Sequence, residues 1–332
     1  MASTKEIKNR IKSIGNTKKI TKAMEMVSAA KMRKTIEAVL KTRSYANLSW
    51  MTVLNIAGSV NAGKFLHPLL AKREEIKKEA VVLISSNRGL CSSFNSAVIA
   101  KAVNSVKKHH TDEKKMTENL TKQVERPVDF ILLGKKGISV KSRYNHNIAA
   151  EFVKEDVAYE AKEVSAIAKM IIDDFLSGKY DKVMVAYTDF VSPVKQIPRV
   201  KQILPIDLAA QDHHLGIVGQ DPKIGADAEF IKAKEEKYLH DEKHESYVFT
   251  YEPSAEVVLN EILPRLIEVQ LFQALLESNA SEHSARMAAM HKATDAAKDL
   301  VNELTLYFNK ARQAAITREI SEISAGVSAM NG

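Results

Sequence analysis

Both ends of this chain carry helical patterns too long to be stable alone. From Thr4 to about Ala57 there is no proline and a single glycine, Gly15. Apolar residues fall at Ile7, Ile11 and Ile14, then Ile20, Met24 and Val27, then Ile36 and Leu40. Spacings built from steps of three and four place such residues on one helical stripe. Gly58 and Gly63 follow as stop signals. About 54 residues at ~1.5 Å each would reach roughly 80 Å, and a helix of that length draws its stability from packing. It therefore requires a partner helix.

The other end supplies one. Glu252-Pro253-Ser254 reads as a helix start. Downstream, Ala297, Val301, Leu304, Phe308, Ala311 and Ala315 alternate steps of four and three, the rhythm of a coiled-coil seam. Small alanines at alternate seam positions let the partner approach closely. Pro264 lies inside this pattern and predicts a kink or a restart, because it removes one backbone hydrogen bond.

Between the ends the periodicity changes. Ala80–Ser85 (AVVLIS), Val128–Leu133 (VDFILL), Lys182–Tyr187 (KVMVAY) and Tyr247–Tyr251 (YVFTY) are short β-rich runs. Helical patterns over Asn95–Lys108 and Val157–Leu176 separate them. Alternating strands and helices predict an α/β layer on a mainly parallel sheet. The expected fold class is α+β: an antiparallel coiled coil of long N- and C-terminal helices with an inserted, Rossmann-like α/β domain. The boundaries expected are residues 2–57, 78–252 and 254–332. Polar stretches at about 109–125 and 207–245 read as insertions.

Charge narrows the partners. The net charge is +8. Residues 1–43 hold twelve Lys or Arg against three acidic residues, so 12 − 3 = +9 lies on the first helix. Such a helix seeks nucleic acid, a membrane surface or an acidic protein segment. Aromatic side chains do not interleave with the basic run; Tyr45 and Trp50 lie beyond it, so base stacking is unsupported. No stretch of about eighteen apolar residues is present to span a membrane. The basic N-terminus lacks the apolar core of a secretory signal, and its lysine-rich, periodic pattern is unlike a transit peptide. The single cysteine, Cys91, excludes an internal disulfide, fits a reducing compartment, and reads as a small buried residue beside a strand.

Residue chemistry offers little for catalysis. A dinucleotide site needs G-x-G-x-x-G after the first strand, and a P-loop needs G-x-x-x-x-G-K-[ST]. The segment Ser86-Asn87-Arg88-Gly89-Leu90 has one glycine, and Gly134-Lys135-Lys136-Gly137 has neither spacing, so both read as turns. His240 and His244 would share a helical face, but Asp241 stands where a zinc protease needs Glu, and no third ligand is evident. His109-His110 and His213-His214 lie in the polar stretches and read as solvated. No nucleophile motif is recognisable. The residues alone leave three classes open: an interaction shaft, a nucleotide-dependent enzyme on the α/β layer, and a basic coiled-coil binder of nucleic acid.

Four motifs carry a resemblance. Ile7-Lys8-Asn9-Arg10-Ile11 with Asn16-Thr17-Lys18-Lys19-Ile20-Thr21-Lys22-Ala23-Met24, and the run Tyr307 to Ile323 (YFNKARQAAITREISEI), resemble the two ends of ATP synthase γ subunits. Arg88-Gly89-Leu90-Cys91 and Ser281-Glu282-His283-Ser284-Ala285-Arg286-Met287 match the same family. The family's central motif usually reads Asp-Arg-Gly-Leu-Cys-Gly-Gly; here Asn87 replaces Asp, and Ser92-Ser93 replace both glycines. Photosynthetic members carry a cysteine pair as a redox switch, which a chain with one cysteine lacks.

The resemblance implies a non-catalytic rotor shaft of a rotary ATP synthase. It implies one copy per complex, turning inside a hexamer of α and β subunits, with the α/β domain seated on ε and the membrane c-ring. It implies no catalytic residue, cofactor or metal in this chain and no nucleic-acid partner. The expected location is the cytoplasmic face of a bacterial inner membrane, as a peripheral protein. By position, Met24 matches a residue facing the acidic lever of β, with Lys18, Lys19, Lys22 and Arg33 as its basic surroundings. Glu282, Arg286, Arg312, Gln313 and Thr317 match positions that meet loops of β. The seam residues are Ile7, Ile11, Ile14, Ala297, Val301, Leu304, Phe308 and Ala311. The small, uncharged tip, Ser324 to Gly332, is either a frayed end or a smooth one running in an apolar sleeve.

Overall fold

The computed structural model describes residues 4–59, 67–71, 73, 76–116, 127–154, 156, 161–206, 252 and 254–331. Helix α1 spans Thr4–Ser59 and the final helix, α5, spans Ala255–Asn331. Between them lie β1 (Glu79–Ile84), α2 (Phe94–Met116), β2 (Val128–Leu133), a 3-10 turn (Lys135–Ile138), α3 (Ser139–Tyr144), β3 (Asn147–Phe152), α4 (Lys162–Leu176), β4 (Lys182–Phe190) and β5 (Gln196–Leu204). Contacts divide the chain into two units: Ala29–Arg286, and Met1–Ser28 with Met287–Gly332.

In the larger unit, five strands form one sheet in the order β3-β2-β1-β4-β5. The first four are parallel, and β5 returns antiparallel to β4. Strands β1, β2 and β4 are buried at every position, which is why they read as unbroken apolar runs. Val98, Ile99, Val103 and Val106 of α2 pack on Val81, Leu83, Phe130 and Leu132 of the sheet. Helix α4 buries Val164, Ile167, Ala168, Ile171, Ile172 and Phe175, a stripe at helical spacing.

Two strands escaped the sequence reading. The margin strand β3 alternates exposed and half-buried residues and lacks an apolar run. Strand β5 contains Pro198, tolerated where a strand has no neighbour on one side. Gly134 adopts φ 108°, and a Cβ there would meet the Ser85 carbonyl oxygen at 2.3 Å. Only glycine lets the chain leave β2 so close to the end of β1. The strand expected at Tyr247–Tyr251, the stretch 207–245, and His213-His214, His240 and His244 fall outside the described residues. So does the beginning of the helix expected at Val157; α4 starts at Lys162. Helix α2 runs on to Met116, taking in His109-His110.

Within this unit α5 changes character along its length. The Val257 amide donates to Ser254 Oγ at 3.3 Å, an N-cap. Of the kink or restart expected at Pro264, the restart does not occur: the helix runs on through it. Leu259, Leu263, Leu266 and Ile267 are buried around it, and their packing outweighs the lost hydrogen bond. Every residue from 271 to 286 is buried, so the helix is enclosed on all sides there.

The smaller unit is a pair of antiparallel helix segments. Thr21 Oγ1 and Thr294 Oγ1 lie 2.8 Å apart, and His291 Nδ1 lies 3.3 Å from Glu25 Oε1. On α5, Met290, Thr294 and Ala297 are buried and Val301, Leu304, Phe308 and Ala311 half-buried. On α1, Ile7, Ile11, Ile14 and Lys18 are half-buried and Thr21 and Ser28 buried. The apolar stripe read from the sequence is corrected here. Ile20 and Val27 are 61% and 56% exposed, because the heptad continues from Ile14 through Lys18 and Thr21 rather than through the next isoleucine. Ala315 is exposed as well: Ala311 is the last seam residue, and α1 begins at Thr4.

Candidate functional site

Two sites emerge, one inside the larger unit and one on the surface of the smaller. The first gathers charge where apolar residues would be expected. Lys154 is 2% exposed and Glu282 3%. Lys154 Nζ pairs with Glu282 Oε2, and Arg286 Nη2 with Glu282 Oε1 at 2.7 Å. Burial alone would raise the Glu282 pKa; the two cations outweigh it and hold the carboxyl below its usual range.

His283 completes the cluster. Its Nε2 is 2.7 Å from the Asp156 carbonyl oxygen, which can only accept, so Nε2 carries the proton. Nδ1 then accepts from Arg286 Nη1 at 3.4 Å. Burial lowers the pKa of this ring and favours the neutral form, which that tautomer needs. Lys31 Nζ holds Asp156 Oδ2 at 2.7 Å.

The opposite wall is the turn after β1. Ser86 Oγ donates to the Arg88 carbonyl at 2.6 Å, and Asn95 Nδ2 donates to Ser86 Oγ at 2.7 Å and to Cys91 Sγ at 3.2 Å. Arg286 Nε and Nη2 donate to the Gly89 carbonyl at 3.3 Å. The turn thus aims carbonyls at a guanidinium, whereas a phosphate cradle aims N–H groups at an anion. Asn87 Nδ2 donates to the Lys154 carbonyl, a bond an ionised Asp could not make. Cys91 is buried beside Phe94 and Ala285. The motifs Arg88–Cys91 and Ser281–Met287 therefore meet in space, through residues up to Arg286.

The surface site lies on the helix pair. Lys5, Lys8, Arg10, Lys12, Lys19 and Lys22 are exposed, Lys18 and Met24 half-buried. Lys22 Nζ is 2.9 Å from Glu25 Oε1, a surface pair worth about 0–1 kcal/mol and easily exchanged. On α5, Arg312, Gln313 and Thr317 are exposed. Glu282 and Arg286, grouped with them by resemblance, lie instead in the buried cluster of the larger unit. Sequence reasoning missed Lys154, His283 and Asp156 as members of that cluster; nothing in their local pattern announces a contact across more than a hundred residues. Among the described residues, no group of three His, Cys, Asp or Glu is placed to hold a metal ion, and no helix is long and apolar enough to cross a membrane.

The smaller unit is thus an antiparallel pair of helix segments, and the larger a doubly wound layer that buries residues 271–286 of α5. A family profile described as ATP synthase matches residues 3–330. The chain is 39% identical to the ATP synthase gamma chain of Chloroflexus aurantiacus over 330 residues, covering 99% of each. It is 38% identical to that of Roseiflexus castenholzii over 333 residues, again covering 99% of each. The chain belongs to the ATP synthase family, and its full-length relatives are gamma chains. Its fold is shared with chains in two solved assemblies. One, from the central stalk and c-ring of the Tetrahymena thermophila mitochondrial ATP synthase, has a TM-score of 0.52 and 23% identity, covering 82% of this chain and 99% of that one. The other, from the Euglena gracilis mitochondrial ATP synthase, has a TM-score of 0.57 and 16% identity, covering 98% and 94%.

Proposed function

We propose that this chain is the rotating central stalk of a proton-translocating ATP synthase, coupling ion flow through a membrane ring to ATP synthesis or hydrolysis on β subunits. One observation carries the reading furthest. The seam ends at Ala311, yet α5 continues, and Ile316, Ile320, Ile323 and Val327 repeat at steps of four and three on an exposed face. An apolar stripe of that length calls for another protein to receive it. A hexamer of α and β subunits supplies an enclosing sleeve.

The basic face of α1 suits an acidic lever on β. Lys18, Lys19, Lys22 and Arg33 with Met24, and Arg312, Gln313 and Thr317 on α5, are the residues assigned to that contact. Exposed ion pairs are weak, about 0–1 kcal/mol each, so they break and reform as the rotor turns. In this reading residues 2–57 and 254–332 provide the shaft, and residues 78–252 provide the foot that meets ε and the c-ring. The same reading puts the chain, as a peripheral protein of that membrane complex, at the cytoplasmic face of a bacterial inner membrane. Catalysis belongs to the partner chains, and this one carries neither cofactor nor metal.

Co-expression with α and β subunits tests this. One copy of the chain for each three α and three β in the purified complex is the expected result. Equal copies of all three chains, or no retention, contradicts it.

A further inference from the structure

In doubly wound folds, ligands bind outside the carboxyl ends of the strands, where the strand order switches direction. Here that point lies between β1 and β4. It is occupied by the chain's own helix. Ser281 Oγ donates to the Thr188 carbonyl of β4 at 3.1 Å, and Ser284 Oγ to the Pro193 carbonyl after β4 at 2.7 Å. Gln196 Nε2 donates to Ser284 Oγ at 3.3 Å. Arg286 holds the turn after β1, while Lys154 and Asp156, just beyond β3, take Glu282 and His283. Five of the six residues from Ser281 to Arg286 are thus bonded to segments at the carboxyl ends of three parallel strands.

We infer that this crevice is a socket whose occupant is α5, and that Lys154 is a positioning residue which, through Glu282, locks the helix to the sheet so that turning force passes between them. The inference rests on the rotor reading above. An apolar contact alone would let a helix roll about its axis. Directional bonds on two faces, from Glu282 and Arg286 to Lys154 and the turn at Gly89 and from Ser281 and Ser284 to the end of β4, fix its rotation. Within the larger unit these bonds resist twisting of α5 against the layer that holds it.

The test uses the complete complex in sealed vesicles, comparing protons pumped per ATP hydrolysed at matched content of this chain. Lys154→Met should lower that ratio at least about threefold, because Glu282 keeps only Arg286. Lys154→Arg should preserve it, and Glu282→Gln should lower it. A role confined to stability would reduce the melting temperature or the yield and leave the ratio unchanged; an unchanged ratio in both Lys154→Met and Glu282→Gln overturns the inference. Should neither variant assemble, amide exchange in the full chain decides. Faster exchange at 281–286 in Lys154→Met supports the lock, and unaltered protection overturns it. Vesicles whose complex is assembled without this chain and still pumps would overturn the rotor reading, and this inference with it.

Discussion

Ser92 adopts φ 51°, in the left-handed region, where the resembling motif carries glycine. A side chain there costs about 1–2 kcal/mol. Replacing it by glycine frees that strain but adds about 0.4–1 kcal/mol of unfolded-state entropy. Relief is the larger quantity, so Ser92→Gly should raise stability by about 0.5–1 kcal/mol in thermal unfolding. A lower melting temperature would show that the serine side chain holds the turn. His283 sets a second expectation. Burial depresses its pKa below the ordinary 6.5, so its contribution is complete above that value and is lost as pH falls through the lower folded pKa. The carboxyls follow at more acid pH. Glu282, held down from 4.5 by Lys154 and Arg286, and Asp156, held down from 3.8 by Lys31, contribute above those values and lose their contribution below them. The melting temperature should therefore fall in two stages on acidification. Buried His67, its pKa lowered in the same way, contributes to the first stage too, so His283→Gln should shrink that stage, and a variant in which it is unchanged would place the titration elsewhere.

At the scale of elements, the α5 seam makes Leu304 a point of failure. Leu304→Asp puts a charge at a half-buried seam position and should destabilise the helix pair by about 1–3 kcal/mol. Unfolding monitored with a probe on 287–331 measures it; an unaltered transition would mean the seam is misplaced. This seam was legible because Ala297, Val301, Leu304, Phe308 and Ala311 keep the heptad with apolar residues. The α1 seam was legible only as far as Ile14. Beyond that its positions are Lys18, Thr21 and Ser28, and a reading keyed to hydrophobicity followed Ile20 and Val27 to the exposed side instead. Strands β1, β2 and β4 declared themselves through apolar runs, whereas β3 and β5 at the margins did not. The buried cluster was not legible: Glu282 and Arg286 stand in a recognisable motif, but the resemblance assigned them to loops of β rather than to an ion pair inside the chain. Lys154 and Asp156 gain their meaning only from a fold that brings residues 128 and 127 positions away against them.

At the scale of the whole molecule, the first 43 residues carry a surplus of nine positive charges, and the end of α5 carries an exposed apolar stripe. Both call for one surrounding partner, acidic where it meets α1 and apolar where it meets the tip. Reversing Lys18, Lys19 and Lys22 together should leave assembly intact, since exposed pairs contribute little, while lowering ATP made per proton moved. Unchanged synthesis per proton would remove these lysines from the coupling contact. The rotor reading itself is tested most directly by watching the chain turn. With Cys91 replaced by alanine and a single cysteine placed at exposed Lys136, a probe attached there reports motion in an α–β hexamer fixed to a surface. Continuous rotation in one direction during ATP hydrolysis is the predicted result. A probe that stays still, or only rocks about one position, while ATP is consumed would contradict it.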